Sequence, residues 1–536
     1  MASASVDLTK LICRRHNDSC CSSPSCSHLS TCFDRVVVGY DGNFVDGSEN
    51  LNVRQQESSG LVPFKEKTNP NSNYGSAGVS VKDHTADGRR LTTPVVYSRR
   101  WLMLALFCFY SFSNSFQWIN LNIISDILGR YYNQSLPRDS YQRNTAIDWL
   151  SMVYMLAYIP LILPVMWVLD QKGLRLCCLC GSLLNALGAW LKCASLTPDR
   201  FPLLMFAQTI SAMAQVCVLG IPARLAAVWF GPNEVSTATS LGVFGNQVGI
   251  AAGFLLPPMM VTNSNDTDVI DVGLRIMYYG VASLTTVVFL SILVFFHDRP
   301  PQPPSKAQYL AVVAAASQNY KQSLVQLVTN KGFILLIIAY GINTGSFYAV
   351  STLLNATVFC YFPGQGVSAG RIGLTIVAMG VLGSVLVGVW LDKTRTFRGT
   401  TVAVYILSLA GSIAFTAGLN LGSLWITFIT AGSLGFFMTG YLPVGYEFAA
   451  ELTFPESEAT SSGLLNISAQ VFGVTLTLTM RAMLESVSVL SANAALCALL
   501  FVGCILTGLS NKQLVSECRH KCLNKKSKKR KFVHTP

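Results

Sequence analysis

Twelve apolar runs, each long enough to cross a lipid bilayer, leave this chain little choice of fold. A helix needs about 20 apolar residues to span the hydrocarbon core. No water is available there, so the backbone polar groups of each segment must pair internally. Runs of that kind begin near Trp101, Ile147, Leu176, Pro202, Ser236 and Gly273, and again near Phe333, Arg371, Thr400, Ser423, Ala459 and Val487. Six and six predict an all-α integral membrane protein with twelve transmembrane helices in two pseudo-symmetric six-helix bundles, 99–296 and 332–510. Around them lie an N-terminal tail, 1–98, rich in Ser, Asn and Gly and expected to be disordered, a linker, 297–331, and a basic tail, 511–536.

Charge supports the same architecture. Only 12% of the 536 residues are charged, against roughly 25% in soluble domains. The net charge of +12 owes much to one run, Lys525, Lys526, Lys528, Lys529, Arg530 and Lys531. Beside a membrane span such a run favours anionic inner-leaflet lipid; a trafficking signal and a plain solvated tail are the other readings, and no nucleic-acid partner is expected. Placing the linker in the cytosol also puts Lys172, Arg175, Lys393, Arg395 and Arg398 inside, as the positive-inside rule prefers, and makes both termini cytosolic. Arg130, Arg138 and Arg143 then lie outside, a mild exception. The sequon at Asn265 falls in an outside loop and is the expected glycan site; that at Asn133 is also outside, whereas those at Asn355 and Asn466 lie within spans.

Many of the 16 cysteines sit in apolar runs, where cysteine acts as a small hydrophobe. The N-terminal Cys13, Cys20, Cys21, Cys26 and Cys32 have no zinc-ligand spacing. Palmitoylation of Cys20–Cys21 is the better reading there. No metal or cofactor is expected. Nor does the core hold a Ser-His-Asp arrangement or a phosphate loop, which argues against an enzyme.

The halves repeat in detail. Asp170-Gln171-Lys172-Gly173-Leu174-Arg175 follows the second run, and Asp392-Lys393-Thr394-Arg395 follows the eighth. Glu234 comes 64 positions after Asp170, and Glu456 comes 64 after Asp392. This resembles the loop signature of the major facilitator superfamily, and so implies its fold. It nominates Asp170, Arg175, Asp392 and Arg395 as gate residues holding the cytosolic ends of the bundles in register. Towards the middle, Ser115-Phe116-Gln117-Trp118 parallels Ser346-Phe347-Tyr348, and Asn246-Gln247 parallels Ala469-Gln470. Trp118 and Tyr348 are packing aromatics or binding walls. The intramembrane amides default to interhelical hydrogen bonds. Glu447 reads as the clear intramembrane acid, a gate or packing charge, with Arg224 and Arg481 as basic counterparts. Aromatics and amides without a carboxylate suit a quaternary ammonium, which ring faces attract.

Longer strings are more specific. Asn114-Ser115-Phe116-Gln117-Trp118-Ile119, Ala369-Gly370-Arg371-Ile372-Gly373-Leu374-Thr375 and Ser462-Gly463-Leu464-Leu465-Asn466 are similar to the feline leukaemia virus subgroup C receptor-related transporters, over roughly 99–510. The resemblance implies a monomeric, facilitative carrier of choline and ethanolamine in the plasma membrane, working by alternating access. It places the choline site on Trp118 and Tyr348 as aromatic walls and on Gln215 and Gln470 as amides. Two departures stand out: Arg481, where the family is not expected to have an arginine, and Tyr446, where Phe is usual. Family members are also described as haem transporters. All six histidines lie in tails or loops, which weakens haem as a substrate, although Tyr, Met and Cys can also ligate iron. A receptor or sensor without net transport is the remaining alternative.

Overall fold

The computed structural model describes residues 97–302, 325–394, 396–453 and 458–509, apart from 232, 233 and 326. The side chains of Asp170 and Asp392 also lie outside what is described, as does all of Arg395. Twelve helices are long and apolar enough to cross a membrane. Six come first: Arg99–Tyr131, Ser140–Leu169, Leu174–Ala194, Phe201–Leu219, Thr237–Met260 and Thr267–Phe295. The second six are Lys331–Tyr361, Gly366–Leu391, Gly399–Asn420, Leu424–Ala449, Thr460–Ser486 and Val489–Leu509. They are numbered below as spans in chain order.

Packing obeys the repeat. The first span lies along the fifth and the seventh along the eleventh; the third packs on the fourth and the ninth on the tenth. The halves meet where the fifth touches the eighth and the eleventh touches the second, two contacts related by the repeat itself. Small residues let the backbones approach. Gly245, Gly249 and Gly253 recur every four residues on the fifth span; a Cβ at Gly249 would sit 2.3 Å from the Phe112 carbonyl oxygen. Such stripes replace the hydrophobic drive that lipid cannot supply between helices.

Two local features differ from the expectation. The second helix starts at Ser140, where the Asp139 carboxylate accepts a bond from the Gln142 amide at 3.0 Å. It therefore begins a full two turns before Ile147. The first span is broken: regular helix runs Arg99–Ile119, a 3₁₀ turn covers Asn122–Ile124, and helix resumes over Ser125–Tyr131. Asn120 and Asn122 flank that break, and the Asn122 amide reaches the Ile147 carbonyl of the second span at 3.4 Å. Trp118 thus stands one residue before the end of regular helix.

Candidate substrate site and the contacts that close it

Trp118 and Tyr348 meet across the two halves. Their ring centroids lie 5.7 Å apart at an interplanar angle of 79°, an edge-to-face arrangement that aromatic quadrupoles favour. Trp118 is only 4% exposed, and its indole N–H has no hydrogen-bond partner among the described residues. A buried unpaired donor costs about 1–3 kcal/mol, so a ligand oxygen at that spot would gain correspondingly.

Gln470 is buried within hydrogen-bonding reach of the Tyr348 hydroxyl. Gln215, on the fourth span, is half-buried among the described residues. It makes no side-chain hydrogen bond among them. Most other intramembrane amides are committed to structure. The Asn114 and Gln117 amides both donate to Asn185 Oδ1 at 2.9 Å, Asn246 bonds Ser115, and Asn343 reaches the Met438 carbonyl at 3.2 Å. Gln215 and Gln470 are therefore among the less committed amides, as is Gln247, whose buried Oε1 has no partner among the described residues.

More aromatic surface lies beside the pair. Tyr158 of the second span lies near Tyr348 and Tyr446, and Tyr446 stacks at a tilt on Tyr340 with centroids 5.6 Å apart. The Tyr446 hydroxyl donates to Asn466 at 2.8 Å. The departure from Phe at 446 therefore adds a hydrogen bond between the tenth and eleventh spans. Tyr158 is a residue the sequence argument missed, since an isolated tyrosine in an apolar run carries no signal.

Polar contacts between halves cluster towards the end that carries the Asn133 and Asn265 loops. The Asn144 amide donates to Glu485 at 2.6 Å, the Ser151 and Thr352 hydroxyls are 2.8 Å apart, and Asn355 donates to Ser125 and Asp126 at 3.0 Å. Among them is a buried ion pair. Arg481 Nε and Nη2 approach the two oxygens of Asp148 at 2.5 and 2.8 Å, with the residues 4% and 1% exposed. Arg481 Nη1 is also 3.6 Å from Glu485. This corrects the sequence reading in two respects. The expected counterpart of Glu447 is instead paired with Asp148 at the opposite end of the bundle. And Asp148 is a buried acid within a span that the sequence reading did not name, whereas Glu447, within the tenth span, is exposed.

At the linker end, Arg175 is engaged by its own half. Its amide donates to Asp298 Oδ1 at 3.2 Å, and its guanidinium reaches the Leu293 carbonyl at 3.3 Å. Gly173 holds the tight turn beneath it at φ 88°, where any Cβ would strike the Asp298 carboxylate. Glu234, of the second repeated motif, pairs with Arg100 at 3.0 Å, and that guanidinium lies over the Trp101 and Phe230 rings. The gate reading of Asp170, Asp392 and Arg395 concerns side chains outside the described residues. Asn265 and Asn133 are both exposed in connections, while Asn355 is buried in a helix.

Comparison with known proteins agrees with the fold and narrows the family. The family model of the Major Facilitator Superfamily matches residues 102–477. Choline/ethanolamine transporter flvcr2b of Danio rerio is 47% identical over 484 residues, 90% of this chain and 93% of that one. Choline/ethanolamine transporter FLVCR2 of Homo sapiens is 49% identical over 78% of each chain. Choline/ethanolamine transporter FLVCR1 of Felis catus is 49% identical over 78% of this chain and 73% of its own. Among solved structures, a bacterial homologue of the human lysosomal transporter Spinster superposes with a TM-score of 0.62 at 13% identity, covering 79% of this chain and 99% of that one. A D-xylose-proton symporter gives 0.57 at 12% identity, covering 77% and 97%. At such identities these two show the fold alone. Fold, repeat and relatives agree, and the chain belongs to the major facilitator superfamily and, within it, to the family of transporters related to the feline leukaemia virus subgroup C receptor.

Proposed function

We propose that this transporter carries choline and ethanolamine across the plasma membrane as a facilitative uniporter, by alternating access. The observation that carries the reading is the Trp118–Tyr348 pair, one ring from each half, at 5.7 Å. Cation–π attraction acts within about 6 Å of a ring centroid. An ammonium beside this pair can satisfy that condition for both rings at once, as the apex of a triangle whose base joins the two centroids. The unpartnered indole N–H and the amides of Gln215 and Gln470 are groups suited to the substrate's hydroxyl. Because the rings come from opposite halves, substrate binding and the relative motion of the halves act on the same contact.

In this reading the end holding Asp148–Arg481 faces outwards and is closed, and both termini are cytosolic. Asn265→Gln is expected to abolish a glycan-dependent mobility shift, and a C-terminal tag is expected to stay hidden from antibody on intact cells. External detection of the tag contradicts the topology.

Labelled choline uptake in cells lacking other choline carriers tests the function. Expected is saturable uptake that excess ethanolamine inhibits and that replacement of external sodium leaves unchanged. Uptake no greater than in control cells overturns the reading, and competition by haem rather than ethanolamine replaces it with haem transport.

A further inference from the structure

The interior of the first half holds a buried lysine with no ion pair among the described residues. Lys192, on the third span, is 2% exposed. A lysine near a helix end ordinarily snorkels its amine to water; this one does not. Its Nζ donates at 2.9 Å to Gln117 Oε1, and no ion pair to it is found among the described residues. An ionisable group buried at membrane depth is costly and calls for a functional account.

The contacts show what it holds. Gln117 immediately precedes Trp118, at the point where the first span leaves regular helix. Its side-chain oxygen accepts from the Lys192 amine, and its side-chain nitrogen donates to Asn185 at 2.9 Å. Its backbone carbonyl accepts from Gln208 at 2.9 Å. Asn185 is in turn fixed by Ser113, which its amide reaches at 3.0 Å. One residue is thus clamped by the third and fourth spans together. No comparable clamp appears around Trp118 itself, whose ring N–H is unpartnered among the described residues.

We propose that Lys192 is a positioning residue for substrate recognition: through Gln117 it sets the break in the first span and so the orientation of the Trp118 ring face. A buried amine suits this task because losing its hydrogen bond would leave a desolvated donor unpaired. The inference rests on the cation–π reading of Trp118 given above.

The test uses the full-length protein. Losing one partner of a buried polar pair strands the other, whereas replacing both by apolar groups is close to neutral. The double variant Lys192→Met/Gln117→Leu is therefore expected to reach the surface and melt near wild type. Its KM for labelled choline should rise about 2- to 30-fold, the range spanned by one cation–π contact. Gln208→Leu, which frees the Gln117 carbonyl without altering Lys192, should raise KM in the same direction. Adding Lys192→Met to Trp118→Leu should raise KM no further, since the ring being positioned is gone. A purely structural role predicts instead less surface protein with an unchanged KM, and that result overturns the proposal. So does a further KM increase in the Trp118→Leu background. If Trp118→Leu itself leaves KM unchanged, the cation–π reading fails and this inference fails with it. If Trp118→Leu raises KM while the double variant and Gln208→Leu do not, the positioning role alone is wrong.

Discussion

Trp118→Leu is expected to weaken choline binding by about 2- to 30-fold, the equivalent of roughly 0.5–2 kcal/mol of cation–π attraction. Trp118→Phe should retain part of the affinity, because it keeps a ring face while losing the indole N–H. On the other half, Tyr348→Phe should be milder than Tyr348→Ala, since only the hydroxyl near Gln470 is lost. The order matters more than any single value. If bulk alone decided affinity, Leu and Phe at 118 would differ little. Binding of purified variants, followed by quenching of intrinsic fluorescence or by labelled choline, gives the ranking.

The second large effect is expected at the Asp148–Arg481 bridge. Removing one partner of a buried ion pair costs about 3–5 kcal/mol, because the other charge is left uncompensated. This pair joins the second span to the eleventh, across the two halves. The cost therefore falls on the conformation closed at that end and shifts the population towards the opposite one. Arg481→Gln should slow uptake at matched surface expression. It should also speed external labelling of a cysteine placed at Thr352, which is buried against Ser151 in the closed arrangement. The double variant Asp148→Asn/Arg481→Gln should recover much of the loss, since contacting residues are not additive. Single variants with wild-type uptake and wild-type labelling would show the bridge to be mere packing.

Much of this architecture was legible because a bilayer imposes a length that sequence displays directly. The number and rough placement of the spans, the loop motifs after the second and eighth, and the repeat-related positions of Trp118 and Tyr348 all follow from period and repeat. What escaped depends on tertiary placement. Asp148 stands only one residue into an apolar run that begins near Ile147, so the run alone does not place it deep in a span. The N-cap signal at Asp139 and Ser140 would have placed it two turns inside. Lys192, one residue from Cys193 near a helix end, has the local sequence of a water-facing cation; its burial comes from the first and fourth spans packing over it. Arg481 was recognised as unusual, yet its partner lies 333 positions away, beyond any local pattern. The break after Ile119 was hidden because two asparagines in an apolar run read equally well as interhelical bonds.

The most direct measurement sets charge against shape in the pocket. An uncharged analogue of choline, with a tert-butyl group replacing trimethylammonium, has nearly the same volume but no attraction to a ring quadrupole. In the labelled-choline uptake assay it is expected to compete poorly, while ethanolamine competes. Competition by the analogue equal to that of unlabelled choline would contradict a cation–π site built from Trp118 and Tyr348.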